Sequence, residues 1–204
     1  IKHKIFIPKK SYAHYGEDLF ILKKFKNKKG FYVDVGCHHP TRLNNCHLLY
    51  KNGWNGINID ISKFSITLFN LIRKKDININ IAVSLKQKKV RYYYDKLMSL
   101  YISLNKRKEL NRSRERNSDT LTSIIDKTKY LNKKIDFLSI DAEGKDFEVL
   151  RSLNFKRYEP KYICIEIYSN NILNFNIKNN KIYKFLKKKN YKLLLNKGEN
   201  FFFQ

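Results

Sequence analysis

Three short apolar runs in this chain carry an aspartate at or near the end: Phe31-Tyr32-Val33-Asp34-Val35, Gly56-Ile57-Asn58-Ile59-Asp60 and Ile135-Asp136-Phe137-Leu138-Ser139-Ile140-Asp141. Apolar runs of this length, separated by stretches of helical period, read as the buried strands of a parallel sheet whose crossovers are helices. Ligands of such sheets bind where the strands end, so acids at those ends mark a candidate site. The remaining segments keep the rhythm. A short helix opens at Ser11 and carries Leu19, Phe20, Leu22 and Phe25. Crossover helices follow at 43–52 and 64–74, the second capped by Ser62 with Phe64, Leu68, Leu71 and Ile72 inward. A third strand spans 77–83, and a further short strand spans 90–94. A polar, basic, mobile insertion is expected over 95–119. Helices at 121–130 and 145–153, a strand at 161–167 and a helix at 182–189 come next. Residues 191–195 and 200–203 flank Lys197-Gly198-Glu199. So short a link cannot make a parallel crossover, so an antiparallel hairpin closes the fold. The expected class is α/β: a Rossmann-like, mostly parallel, doubly wound sheet with an antiparallel C-terminal hairpin strand, in one domain over 1–204.

The 204 residues are 42% hydrophobic and 30% charged, enough for one sizeable core. No apolar run approaches the roughly 18 residues of a membrane span. The N-terminal Ile1-Lys2-His3-Lys4-Ile5 has no apolar leader region and no initiator methionine, so the sequence reads as a domain of a longer chain. Cys37, Cys46 and Cys164 form no CxxC pair. Neither a zinc site nor a disulfide framework is indicated, and a reducing, cytoplasmic setting is expected. The 43 basic against 18 acidic residues give a formal charge of +25. That balance raises nucleic acid as a partner, but the lysines are spread from end to end rather than gathered on one face. The densest basic stretch holds Lys106, Arg107, Lys108, Arg112, Arg114 and Arg116, with Lys96 upstream. It reads as a solvated loop, or as a lid over the acceptor side that would suit an anionic group there.

The turn after the first strand narrows the ligand. A pyrophosphate needs G-x-G-x-x-G, so that backbone can close on the phosphates. Here Gly36 stands alone before Cys37, His38, His39 and Pro40, and no Walker A loop exists. An acid one βα unit later, Asp60, is placed for two ribose hydroxyls. The expected ligand has a ribose but no diphosphate at this turn, which S-adenosylmethionine satisfies.

Four motifs occur in order: Ser11-Tyr12-Ala13-His14-Tyr15-Gly16-Glu17-Asp18-Leu19; Val33-Asp34-Val35-Gly36-Cys37-His38-His39-Pro40; Gly53-Trp54-Asn55-Gly56-Ile57-Asn58-Ile59-Asp60; and Ile135 to Gly144, ending Asp141-Ala142-Glu143-Gly144. Together they resemble the FkbM family of S-adenosylmethionine-dependent methyltransferases. The resemblance implies a class I methyltransferase fold, S-adenosylhomocysteine as product, and O-methylation of a sugar, glycan or related hydroxyl. It implies cofactor contacts from Glu17, Asp34, Gly36, Cys37, Asn45, Asp60, Ile61, Ala82, Val83, Asp141 and Gly144, with the ribose on Asp60 and the adenine beside Ala82 and Val83. Asp141 and Glu143 would stand beside the reacting methyl. The chain departs from the family where His14 replaces a glutamine, Cys37 an alanine, and where Leu97-Met98-Ser99-Leu100 lacks an Asn-Thr.

Methyl transfer to an alcohol needs a base near the acceptor oxygen. The candidates are Asp141, Glu143, His38 and His39, with Glu166 as a further buried acid on the fifth strand. No metal is expected, since no ligand spacing supports one. Two other readings stand beside this one. RNA methylation is less favoured, because the chain has no stacking motif of an RNA module. A non-catalytic Rossmann-like module would have no need of Asp141 and Glu143.

Overall fold

The computed structural model describes residues 10–97, 99, 102–168 and 176–204. Its main sheet contains β1 (Phe31–Val35), β2 (Asn55–Asp60), β3 (Ile77–Asn80), β7 (Phe137–Ile140), β8 (Tyr162–Glu166), β9 (Leu193–Lys197) and β10 (Asn200–Phe203), in the order β3-β2-β1-β7-β8-β10-β9. The first five run parallel, and β10 runs antiparallel to both of its neighbours. The fold is therefore the expected Rossmann-like arrangement with an antiparallel C-terminal hairpin. The order reverses direction between β1 and β7, which makes that seam the switch point where such sheets bind ligands.

All five residues of β1 are buried, as a central strand covered on both faces requires. Phe31, Val33 and Val35 pack under α4 (Leu121–Asp126), α5 (Asp146–Arg151) and α7 (Lys181–Lys188); Tyr32 faces the other way, toward α1 (Glu17–Lys24) and α2 (His47–Lys51) with Ile21, Leu49 and Trp54. Val35 pairs with Ile59 on one side and Ile140 on the other, and Ile140 pairs with Ile165. Gly36, Asp60, Asp141 and Glu166 are the next residues of these four strands, so they stand side by side along the sheet's edge.

Several expectations shift in detail. The first helix begins at Glu17, not Ser11. The Asp18 carboxylate accepts from Ser11 Oγ (2.6 Å) and Tyr12 N (2.8 Å), folding residues 11–16 back into an irregular wall. The crossover helix shortens to His47–Lys51 because Leu43 is left-handed (φ 48°) and Asn44 Oδ1 accepts from Cys46 N. The 77–83 strand divides: β3 stays in the sheet, while β4 (Ala82–Val83) joins a second sheet, β4-β6-β5, with β5 (Lys88–Tyr94) and β6 (Arg112–Asp119). The expected mobile insertion is thus partly a strand, registered against β5 from Lys88↔Ser118 to Tyr94↔Arg112. Met98, Leu100 and Tyr101 of that stretch lie outside the described residues. A short helix, α6 (Phe155–Tyr158), was not anticipated.

The inward face of α3 (Lys63–Ile72) is corrected. Phe64, Leu71 and Ile72 are exposed, and Ser65, Ile66 and Phe69 are buried. The phase is set at the two ends. Ser62 Oγ caps Ser65 N, and Arg73, fully buried, follows on the same face. Arg73 donates to Pro40 O (2.9 Å), Tyr32 Oη (2.9 Å) and Asn44 Oδ1 (2.6 Å), and stands 3.6 Å from the buried Asp76 carboxylate. The rings of Phe69 and Tyr50 flank its guanidinium. A buried cation is tolerated only when paired and hydrogen-bonded, and this one is both.

Among the described residues, no helix is long and apolar enough to cross a membrane.

Candidate active site

A cleft of about 570 Å³ opens at the ends of the parallel strands. Its floor is the turn after β1. Gly36 is left-handed (φ 76°), and a Cβ there would lie 1.6 Å from the Asp141 carbonyl oxygen. Gly36 N donates to Ile59 O and Asp141 N to Val35 O, so backbone bonds stitch three strands together at this point.

Asp60 ends β2 with both carboxylate oxygens engaged: Oδ2 accepts from His38 N (2.9 Å) and Oδ1 from Ser62 N (2.7 Å). Each oxygen keeps a further acceptor direction for a ligand hydroxyl. Burial pushes Asp60 up to about 6 against the pull of those two N–H groups. Ile61, Ile81, Ala82 and Val83 add an apolar wall beside it.

The turn Asp141-Ala142-Glu143-Gly144 forms the opposite side. Glu143 is left-handed (φ 48°), as are His38 and Leu43, and all three line the cleft. Backbone strain of that kind concentrates at functional sites. Asp146, absent from the expected set, holds this turn: its carboxylate accepts from Ala142 N (2.8 Å) and Gly144 N (3.1 Å). An acid two residues after Gly144 was the available sign of it. Burial, then Asp141 and Asp146, push Glu143 up to about 7; burial, then Asp146 and Glu143, push Glu166 up to about 7. Asp141 is raised by burial and by Glu166.

The chain's two ends supply the outer wall. His14 and Tyr15, stacked with ring centroids 4.1 Å apart, line the cleft beside Glu199 and Asn200. Lys197 Nζ donates to Tyr15 O (2.9 Å) and Gly16 O (3.3 Å), and Asn200 Nδ2 donates to Glu17 Oε1 (2.7 Å). Ile102, Asn105 and Arg107 of the segment between β5 and β6 reach the cleft from above.

The structure brings Gly36, His38, Asn45, Asp60, Ile61, Ala82, Val83, Asp141, Glu143 and Gly144 to this cleft. Four expected residues do not line it. Asp34 shares the Tyr32 face of β1, where it accepts from Asn44 Nδ2 (2.9 Å). Cys37 is buried with Ile66 and Phe69. Glu17 is fully buried, and its oxygens are taken by Tyr15 N and Asn200 Nδ2. His39 turns its Nδ1 back to Thr41 N (3.1 Å). These four stand behind the residues that line the cleft. His38 does face the cleft, but on the Asp60 side. Burial, then His39 and Arg42, lower its pKa, which keeps the ring neutral.

These acids give the ligand-free protein a testable pH dependence. In an unfolded chain carboxyl groups titrate near 4. Folded Asp60 titrates at about 6, and Glu143 and Glu166 at about 7. Folded, these acids hold extra protons between those limits, so their contribution to stability falls as pH rises through them; His47, lowered to about 4, opposes this below about pH 6.5. The melting temperature of the ligand-free protein should decline from about pH 6.5 to about pH 8, and Asp60→Asn should make the wild-type-minus-variant difference in melting temperature shrink between about pH 4 and pH 7. A thermal-shift series in which the variant keeps the wild-type slope would remove Asp60 as a source.

No curated protein and no solved structure matches the chain. Residues 34–193 match the family described as Methyltransferase FkbM domain, from the acid of β1 to the first residue of β9. With that match over most of its length, on a doubly wound sheet whose cleft lies at the switch point, the chain belongs to the FkbM methyltransferase family.

Proposed function

We propose that the protein transfers a methyl group from S-adenosylmethionine to a hydroxyl of a sugar, glycan or related small molecule. The observation that carries this reading is Asp60, a buried carboxylate at the end of β2 with an acceptor direction left on each oxygen, beside a lone-glycine turn unsuited to a diphosphate. The donor set fits the cofactor. Asp60 suits a ribose diol, and Ile61, Ala82 and Val83 suit an adenine. Gly36, Asn45 and Gly144 leave room for the methionine portion, and the surrounding carboxylates suit a ligand bearing sulfonium and ammonium charges. The cofactor supplies an activated methyl. The chain's residues hold the acceptor oxygen in line with it, which is the main contribution a protein makes to such a displacement. Asp141 and Glu143 flank that position.

Saturating S-adenosylmethionine should raise the melting temperature. At roughly a hundred times Kd the gain is about 2.7 kcal/mol, or about 5–10 °C for a chain of this size. Asp60→Asn should weaken binding by about ten- to a hundredfold, since a charged acceptor for two hydroxyls is lost. No thermal shift at saturation would sink the cofactor assignment. Labelled methyl transfer to methyl glycosides and to RNA then separates the acceptor classes.

A further inference from the structure

We infer that Glu166, the last residue of β8, is the catalytic base that takes the proton from the acceptor hydroxyl. The inference rests on the cofactor reading above and adds to it the identity of the proton acceptor.

The argument is one of lateral order. Parallel strands lie about 4.8 Å apart. The pairings Val35↔Ile140 and Ile140↔Ile165 put Gly36, Asp141 and Glu166 in consecutive positions along the sheet's edge. Asp60 lies beyond Gly36 on the other side. The row therefore runs from the ribose acid, through the glycine floor and the acid beside the methyl, to Glu166. An acceptor in line with the methyl would approach from the side away from the ribose, and Glu166 is the carboxylate on that side of the cleft.

Its surroundings fit the role. Glu166 lines the cleft and is half-buried. Its backbone is locked on both sides: β7 pairs with β8 up to Ile165, and Asn200 of β10 pairs with Glu166 itself. One of its carboxylate oxygens lies within 4.8 Å of oxygens of Asp141 and Asp146. Carboxyl groups this close do not ionise independently: the first proton lost leaves a charge that raises the affinity of its neighbour for a proton. The other charged groups facing it are Asp146, Glu143 and Glu199, all acidic, so a proton arriving there lowers the repulsion. The remaining candidates are less well placed. His38 is on the ribose side, His39 does not line the cleft, and Glu143 faces Arg107 from a strained turn. In the step, the acceptor oxygen forms its bond to the methyl carbon as the methyl–sulfur bond breaks. The hydroxyl proton passes to the Glu166 carboxylate, and neutral thioether is released.

Glu166→Gln keeps shape and strand pairing while removing the base, so the test uses that variant of the whole chain. Carbon-13 NMR of glutamate carboxyls in the ligand-free protein should show a neutral-range titration that Glu166→Gln removes and Glu199→Gln moves downward. Titration in the ordinary glutamate range, near 4.3, would overturn the assignment. Calorimetry with S-adenosylhomocysteine should give the variant an affinity within about threefold of wild type, or under about 0.7 kcal/mol. A loss like that of Asp60→Asn would make Glu166 a cofactor ligand and overturn the proposal. So would a thermal shift with magnesium chloride alone that Glu166→Gln abolishes. On methyl glycosides the variant should transfer roughly 10²- to 10⁴-fold more slowly at neutral pH, and wild-type turnover would again overturn it. A wild type inert toward every glycoside refutes the sugar acceptor alone. A wild type that binds no cofactor refutes the reading beneath both.

Discussion

Gly36→Ala is expected to be among the most damaging single substitutions in this chain. The new Cβ would sit 1.6 Å from the Asp141 carbonyl oxygen, which is backbone and cannot rotate aside. Its φ of 76° adds the penalty of a left-handed residue with a side chain. Strain of about 1–3 kcal/mol and overpacking of similar size give about 2–6 kcal/mol together. For a chain of this size that is a fall of about 5–20 °C in Tm. The damage is also local, because relief requires β1 and β7 to move apart where the cleft has its floor. Binding of S-adenosylhomocysteine to the folded fraction should be lost with it. An alanine variant that melts within a few degrees of wild type would show that the β1–β7 seam is looser than described.

The second large effect is expected at Arg73. Arg73→Met removes the only cation against Asp76 among the described residues and leaves that carboxylate buried with Tyr32 Oη, Gly56 N and Asn58 Nδ2 as its remaining partners. Breaking a buried pair from one side costs about 3–5 kcal/mol. Adding Asp76→Asn should recover part of it, since the orphaned charge is then gone. Arg73→Lys should not rescue, because one ammonium on a longer stem cannot reproduce a planar fork aimed at Pro40 O, Tyr32 Oη and Asn44 Oδ1 together. Two of those acceptors belong to the loop that carries His38 and Asn45 into the cleft. Cofactor affinity should therefore fall even at temperatures where the variant is fully folded. Chemical denaturation and calorimetry at about 10 °C read the two effects separately. A stability loss under about 1 kcal/mol would deny the network its structural weight.

The strands were the most legible part of the sequence. Fully buried strands must be continuous apolar runs, and glycines and acids mark where they stop. The second sheet was not legible in the same way. β6 reads Arg-Ser-Arg-Glu-Arg-Asn-Ser-Asp, and nothing in that string alternates apolar with polar. It is a strand because β5 offers it a ladder of backbone partners and Ser118 Oγ reaches Ser84 and Lys88. The face of α3 was misjudged because apolar residues were counted and Arg73 was not: a buried arginine pulls the inward arc toward itself. Asp34 and Asp60 were both expected to contact the cofactor. One-residue parity along β1 turns Asp34 onto the Tyr32 side of the sheet, while Asp60, at the strand's last position, swings up to the His38 and Ser62 amides. The Asp141–Gly144 turn was read from its residues. Asp146, which fixes its shape from below, lies outside the motif.

The outer wall of the cleft has a consequence for how the protein comes into being. Tyr15, Gly16 and Glu17 are held by Lys197 and Asn200, partners more than 180 positions away along the chain. A ribosome delivers Asp60, Asp141 and Glu166 well before it delivers Lys197. During that interval the nascent chain has the strands of the seam but no outer wall, and β8 has an unpaired edge where β10 will lie. Contacts this distant in sequence form late and pay a large loop-closure cost. The outer wall is thus complete only when β10 pairs with β8 and residues 15–17 are fastened to the hairpin. A product cut short before it would have the floor of the cleft without the outer wall that Glu199 and Asn200 complete.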